Sequence, residues 1–337
     1  MNKVGMRVIL EATGRDCSSV SEENSKLSVD INHVRAAHER IAQHIHRTPV
    51  IGSQLLNDLS GARLQFKCEN LQKVGAFKAR GALNAVLGLG QDIKAVATHS
   101  SGNHAAALAM AAGVRGMKAH IVMPENAPPV KKAAVAGYGG YIIECEATLQ
   151  ARESTLQSVV NNTGAHVVHP YDDSRIIAGQ GTVALELLEQ VDDLDAVVVP
   201  VGGGGLLAGM AIVLKALRPE IELIAAEPAG ADDAFRSFGL GHWVPQENPQ
   251  TIADGLLTSL GQLNYAVIRQ CVDTIVTVEE DSIIRAMQLQ WTRLKTLVEP
   301  SGAVPFAAVL EYPERFKGRR TACVISGGNV DLGNLPW

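Results

Sequence analysis

Residues 196–217 read AVVVPV GGGG LLAGMAIVLKAL: an apolar run from Ala196 to Val201, four glycines from Gly202 to Gly205, and an apolar stretch from Leu206 to Leu217. A short unbroken apolar run predicts a strand buried on both faces, as in a parallel sheet, and the longer stretch after the glycines predicts a helix. That unit decides an α/β fold class built on open parallel sheets. Glycines lack Cβ, so the backbone between strand and helix can curl round a phosphate with its N–H groups pointing inward at the helix N-terminus. A dinucleotide fold is the rival reading. Gly203, Gly205 and Gly209 open a helix, and the next strand, Ile221 to Ala226, ends at Glu227, close to where a ribose-binding acid belongs. The glycine spacing departs from GxGxxG, however, and the rival leaves two upstream motifs unexplained.

The first motif is Gly75 to Ala82, GAFKARGA, which sets Lys78 beside Phe77 among small residues. With so little bulk around it, a flat cofactor can lie against the lysine and its amine can be desolvated enough to act as a Schiff-base nucleophile. The second follows the strand Ala95 to Thr98, where Ser100-Ser101-Gly102-Asn103-His104 leads into the alanine-rich helix Ala105 to Ala112. Hydroxyls and free N–H groups at such a helix start suit a carboxylate, or simply cap the helix.

The same alternation extends in both directions. Upstream come a helix with Ile31, Val34, Ile41 and Ile45 on one face, capped by Asp30 or Asn32 and ended by Arg47-Thr48-Pro49, then a strand over Leu64 to Cys68. His38, His44 and His46 in the first segment belong to a solvated face. Strands at Ile121 to Met123, Tyr141 to Glu144 and Val167-Val168 alternate with helices at Val130 to Ala136 and Leu149 to Val160, and Ala178 to Leu188 is helical. Downstream, Val272 to Val278 is a strand and Ile283 to Leu297 an amphipathic helix with Met287 and Trp291 in the core. Glu299-Pro300-Ser301-Gly302 turns into another helix, and the strand Thr321 to Ile325 ends at Ser326, whose hydroxyl can reach a ring nitrogen. Between these, Glu227-Pro228-Ala229-Gly230-Ala231-Asp232-Asp233 sets carboxylates and carbonyls on a tight loop, an all-oxygen set for Mg2+ or Ca2+ or else a solvated loop.

Composition narrows the function classes. The 337 residues are 46% hydrophobic and 19% charged, enough for a large core in two lobes. A net charge of -5 without a basic block argues against nucleic acid or an anionic membrane and for small molecules. Cys17, Cys68, Cys145, Cys271 and Cys323 lack CxxC spacing, which fits a reducing, cytoplasmic setting and excludes a disulfide or zinc framework. No apolar run is long enough to span a membrane, and residues 1–27 read as a disordered leader too acidic for a transit peptide.

GAFKARGA, SSGNHA, the tetraglycine loop, EPAGADD and SGGNVDL occur in that order, and together the chain resembles the serine racemase and threonine/serine dehydratase family of fold type II pyridoxal-phosphate enzymes, most of all its plant-like eukaryotic serine racemases. The resemblance covers about residues 30 to 335. It implies a tryptophan synthase β-like pair of open parallel-sheet domains with pyridoxal 5'-phosphate in the cleft. The large domain would comprise residues 28–93 and 173–337, and the small one 94–172. It also implies that Lys78 carries the cofactor covalently, Phe77 packs on its ring, Asn103 bonds its ring hydroxyl, Gly202 to Gly205 hold its phosphate and Ser326 faces its nitrogen. Ser100, Ser101, Asn103 and His104 would receive the substrate carboxylate. Glu227, the Ala231 carbonyl and Asp233 match the family's divalent cation site, and a homodimer is expected. Ala76 departs from the serine that many relatives carry.

That implied chemistry places Lys78 as the base on one face of the substrate Cα and Ser101 as the proton carrier on the other, so that racemisation of serine competes with loss of its β-hydroxyl to give a 2-oxo acid and ammonia. A dedicated serine, threonine or 3-hydroxyaspartate ammonia-lyase is the alternative within the family. A dinucleotide-dependent oxidoreductase and a catalytically silent metabolite binder are the alternatives outside it.

Overall fold

In the computed structural model, which describes residues 9–11 and 29–337, the chain builds two sheets. Their strands are β1 (Ile9–Glu11), β2 (Val50–Ile51), β3 (Arg63–Cys68), β4 (Ala95–His99), β5 (Lys118–Pro124), β6 (Tyr141–Cys145), β7 (His166–Val167), β8 (Ala196–Pro200), β9 (Glu222–Pro228), β10 (Thr274–Val278) and β11 (Arg320–Ile325). The larger sheet runs β1-β10-β9-β8-β11-β3-β2 and the smaller β6-β5-β4-β7. All pairings are parallel except those of the two edge strands β1 and β2.

Strand β8 shows why the apolar runs are continuous. Val197 and Val199 face one core, with helices Ile31–Ile41, Ser174–Gln190 and Gly205–Leu217, while Ala196 and Val198 face another, with helices Glu280–Leu289 and Pro300–Glu311. Alternate side chains are therefore buried on both sides of the sheet. The smaller sheet is covered on one face by helices Lys78–Leu87 and Asn103–Val114 and on the other by helix Leu149–Thr163.

Three sequence expectations change. Helix Ser174–Gln190 begins before Ala178, capped by Asp173, and its glycines are internal contact points. A Cβ on Gly179 would lie 2.6 Å from Gly81 Cα, and one on Gly181 would lie 2.7 Å from Gly209 O, so the helix lies backbone-close to both of its neighbours. The helix expected over Ile283 to Leu297 ends at Leu289, and a wider turn, Gln290–Leu294, follows before Lys295 in a left-handed conformation. There Trp291 Nε1 donates to Val298 O (2.9 Å) and its ring meets Trp337 edge-on, while Met287 is buried as expected. Within the stretch read as a disordered leader, Ile9–Glu11 instead pair antiparallel with β10, and Arg315 Nη1 donates to Glu11 (2.9 Å). The rest of that leader, Cys17 included, lies outside the described residues. Cys68, Cys145 and Cys323 are free thiols, and no described helix is long and apolar enough to cross a membrane.

Candidate active site

Strand ends and helix starts from both sheets converge on one cavity of about 580 Å³. Its wall includes Phe77, Lys78, Ser100, Ser101, Asn103, His104, Gly202, Gly203, Gly204, Gly205 and Ser326, residues up to 249 positions apart in sequence (326 − 77). Helix Asn103–Val114 and helix Gly205–Leu217 both begin there, so two positive helix ends and their unbonded N–H groups face the same space.

Lys78 is the first residue of helix Lys78–Leu87. The preceding turn is tied to the end of β11, because Phe77 N donates to Ser326 O (3.0 Å) and Ala76 bridges to Gly327. The following residues are fastened by charge. Arg80, fully buried, donates to both oxygens of Glu69 (2.7 and 2.8 Å) and both of Glu186 (2.7 and 2.8 Å), and Lys67 Nζ also reaches Glu186 (2.8 Å). Two cations and two carboxylates balance, which is what makes such burial tolerable. Lys78 Nζ donates to Pro170 O (2.9 Å) and lies 5.1 Å from the Phe77 ring centroid and 6.0 Å from that of Tyr171. Burial pulls its ammonium down to about 8, against the opposing pull of the Glu299 charge.

His104 is buried, with Nε2 3.3 Å from Val168 O and Nδ1 without a partner. Burial and then the Lys78 charge hold its ring down to about 3, so it is a neutral imidazole. In the glycine loop, Gly204 has φ 88°, and a Cβ on Gly203 would strike the Tyr171 ring at 2.4 Å. Asn264 Nδ2 and Gly261 N both donate to Gly203 O (2.6 and 3.1 Å), holding this peptide in place.

Several wall residues carry no local sequence signal: Tyr171, Arg152, Lys131, Asp254 and Glu299. Lys131 and Asp254 form an ion pair between the segment carrying the smaller sheet and the segment carrying the larger. Arg152 Nε is buried without a hydrogen-bond partner. Glu299 is buried and lifted to about 7, by burial first and the Asp254 charge second, although the Asn103 amide hydrogen bond opposes the shift.

Glu227, Ala231 and Asp233 are brought together behind this cavity wall rather than in it, and Asp233 N donates to the wall residue Gln246 (3.1 Å). Glu227 belongs to the end of β9 rather than to a loop, and Asp233 opens helix Asp233–Leu240. All three are fully buried. Glu227 accepts from Ala234 N (3.1 Å) and Phe235 N (2.8 Å), Asp233 Oδ2 accepts from Leu260 N (2.7 Å), and Asp233 Oδ1 has no partner. Burial raises both carboxyls, Glu227 well above the carboxylate range and Asp233 to about 6. Among the described residues no group of three or more His, Cys, Asp or Glu side chains is placed to hold a metal ion.

A second cavity, of about 380 Å³, is lined by Lys215, Glu222, Asp273 and Arg315. Its charges are already paired with one another: Lys215 with Asp273, and Arg315 with Glu222.

Residues 41–327 match the family model described as pyridoxal-phosphate dependent enzyme. The chain belongs to that family. Within the pyridoxal-phosphate dependent enzymes it is 53% identical over 304 residues to a β-hydroxyaspartate dehydratase of Paracoccus denitrificans (strain Pd 1222), covering 90% of this chain and 96% of the relative. It is 52% identical over 317 residues to a serine racemase of Arabidopsis thaliana, covering 92% and 96%. The structure of maize serine racemase superposes with a TM-score of 0.89 at 46% identity, covering 91% of this chain and 95% of that one. The cavity fits the family's cofactor on physical grounds. It offers a desolvated lysine beside an aromatic ring, a glycine loop with no room for a Cβ at Gly203, and a helix N-terminus for a phosphate.

Proposed function

We propose that this enzyme interconverts L- and D-serine and also eliminates the β-hydroxyl of serine and threonine to give a 2-oxo acid and ammonia. The observation that supports it most is that Lys78 and the Ser100–His104 turn line one cavity with the glycine loop. Pyridoxal phosphate bound at Lys78 supplies an electron sink that acidifies the Cα–H of an attached amino acid. Gly202 to Gly205 and the helix start behind them hold its phosphate, Phe77 packs on its ring, Asn103 donates to its ring hydroxyl and Ser326 faces its nitrogen. Ser100, Ser101, Asn103 and the backbone N–H of His104 receive the substrate carboxylate at the other helix start. Lys78, part of whose amine burial keeps unprotonated at neutral pH, takes or returns the proton at Cα from one side. Ser101 moves the proton on the opposite side. Inversion needs both residues, whereas elimination from the L-enantiomer needs only Lys78.

Glu227, the Ala231 carbonyl and Asp233 are assigned to Mg2+ or Ca2+. Two buried acids, one with an unpartnered oxygen, form a hard-oxygen donor set whose mutual repulsion a cation would relieve. Its role is structural, because none of the three residues lines the cavity.

A second reading, 3-hydroxyaspartate as the eliminated substrate, is favoured by Arg152. An unpartnered guanidinium nitrogen in the cavity wall suits a second carboxylate, which serine and threonine lack. One experiment addresses both readings: chiral amino-acid analysis together with 2-oxo-acid detection on L-serine, L-threonine and 3-hydroxyaspartate, with Lys78→Ala as the control. D-serine and pyruvate from L-serine support the first reading. Turnover confined to 3-hydroxyaspartate supports the second. Full activity in Lys78→Ala refutes both.

A further inference from the structure

Asn103 sits in the cavity wall, but its orientation is set from the larger sheet. Its Nδ2 lies 2.9 Å from Glu299 Oε1 and 3.2 Å from Oε2, a single N–H shared between the two carboxylate oxygens. Its Oδ1 accepts from Asn329 Nδ2 (2.9 Å), which also donates to Val74 O (2.7 Å), and Asn329 N donates to Glu299 Oε2 (3.0 Å). The ring of contacts has no slack. A Cβ on Gly327 would lie 2.5 Å from Glu299 Oε1, and one on Gly75 would lie 2.6 Å from Asn329 Oδ1.

An asparagine amide has two N–H donors and a carbonyl, and which side faces a ligand is decided by what holds the other side. In its ionised form, which accepts from both Asn103 Nδ2 and Asn329 N, Glu299 can only accept and so permits one amide orientation, with nitrogen towards itself and oxygen towards Asn329. The second N–H of Asn103 then remains for the cavity. We propose that Glu299 is a positioning residue that acts through Asn103, keeping one amide N–H turned into the cavity, where an oxygen on the ring of the bound cofactor accepts it. The proposal rests on the pyridoxal-phosphate reading of the cavity. Glutamine at this position would set an NH2 against one of two donors, Asn103 Nδ2 or Asn329 N. Rotating Asn103 to relieve that clash would turn its nitrogen onto Asn329 Nδ2, another donor.

The test compares holoenzymes carrying Glu299→Gln, Asn103→Ala, both together, and Asn329→Ala. The readouts are the visible absorption band of the bound cofactor, its dissociation constant and serine kinetics. Glu299→Gln should shift the band, weaken cofactor binding about tenfold and lower kcat about ten- to hundredfold with KM for serine changed less than about threefold, the scale of losing one charge-assisted hydrogen bond. Asn103→Ala should do the same, and adding Glu299→Gln to it should change nothing more. Asn329→Ala keeps the carboxylate but frees the Asn103 oxygen, so it should shift the band in the same direction even if Glu299→Gln does not fold. A parental band in Glu299→Gln or in Asn329→Ala, or a Glu299→Gln shift undiminished in the Asn103→Ala background, overturns the proposal. A parent protein that develops no band with pyridoxal phosphate would overturn the cofactor reading instead.

Discussion

Lys78 can bond to an aldehyde only as the neutral amine, so its rate of capturing pyridoxal phosphate should follow the neutral fraction. Burial brings the ammonium from its ordinary 10.5 down to about 8. At pH 7 the neutral fraction is then about one in ten instead of about one in three thousand, a gain of about 300-fold in rate, or about 3 kcal/mol. Water entering the cavity screens part of the burial, which makes 300-fold the upper bound. The assay mixes cofactor-stripped protein with pyridoxal phosphate between about pH 6 and about pH 9.5 and follows the visible band, the reactive form growing about tenfold per pH unit below the pKa. Raising the pH removes the proton that blocks attack, so the rate should climb through neutrality and level off above about pH 8. Glu299→Gln deletes the charge that stabilises the ammonium and should move the levelling point lower. A rate still climbing at the top of the range would mean that Lys78 titrates like an exposed lysine, and the argument from desolvation would fail.

Ser101→Ala should abolish interconversion of L- and D-serine while part of the L-serine elimination survives. The deciding number is the ratio of D-serine to pyruvate at saturating L-serine, and an unchanged ratio leaves Ser101 as a helix cap. Asp233→Ala should remove any rise in melting temperature on adding Mg2+ or Ca2+ without displacing the cofactor; a parent protein indifferent to both cations and chelators argues that the trio binds neither. Arg152→Leu should cost activity on 3-hydroxyaspartate about ten- to hundredfold and leave serine within about threefold, the scale of one charge-assisted hydrogen bond; equal losses on both substrates would remove the case for a dicarboxylate. Arg80→Met strands Glu69 in the core and leaves Glu186 with Lys67 alone, so chemical denaturation should show a loss of about 3–5 kcal/mol, and a loss below about 1 kcal/mol would mean that the network relaxes or takes in water.

The parallel-sheet architecture, the glycine loop and the lysine turn are all readable in the chain, because each depends on a property its residues carry locally. The apolar run Ala196 to Val201 needs burial on both faces, glycines leave the backbone N–H groups uncovered, and a lysine among small residues is open to a flat partner. Tertiary structure decided the rest. Glu299 stands before Pro300 like any helix cap, and only the meeting of Asn103, 196 positions away, with Asn329 turns it into a buried acid at the cavity. Arg152 reads as a solvated residue of a polar helix until the fold turns it into the cavity wall. Gly179 and Gly181 fall inside a helix read from the sequence, but only the close approach of Gly81 and Gly209 shows why neither carries a side chain. Glu227 looks like a loop acid, but β10 pairs with it through Thr277 and draws it into the sheet. In each case the deciding contact joins residues far apart in the chain, so the desolvation that sets their charge and the space that sets their size exist only once the two sheets have packed.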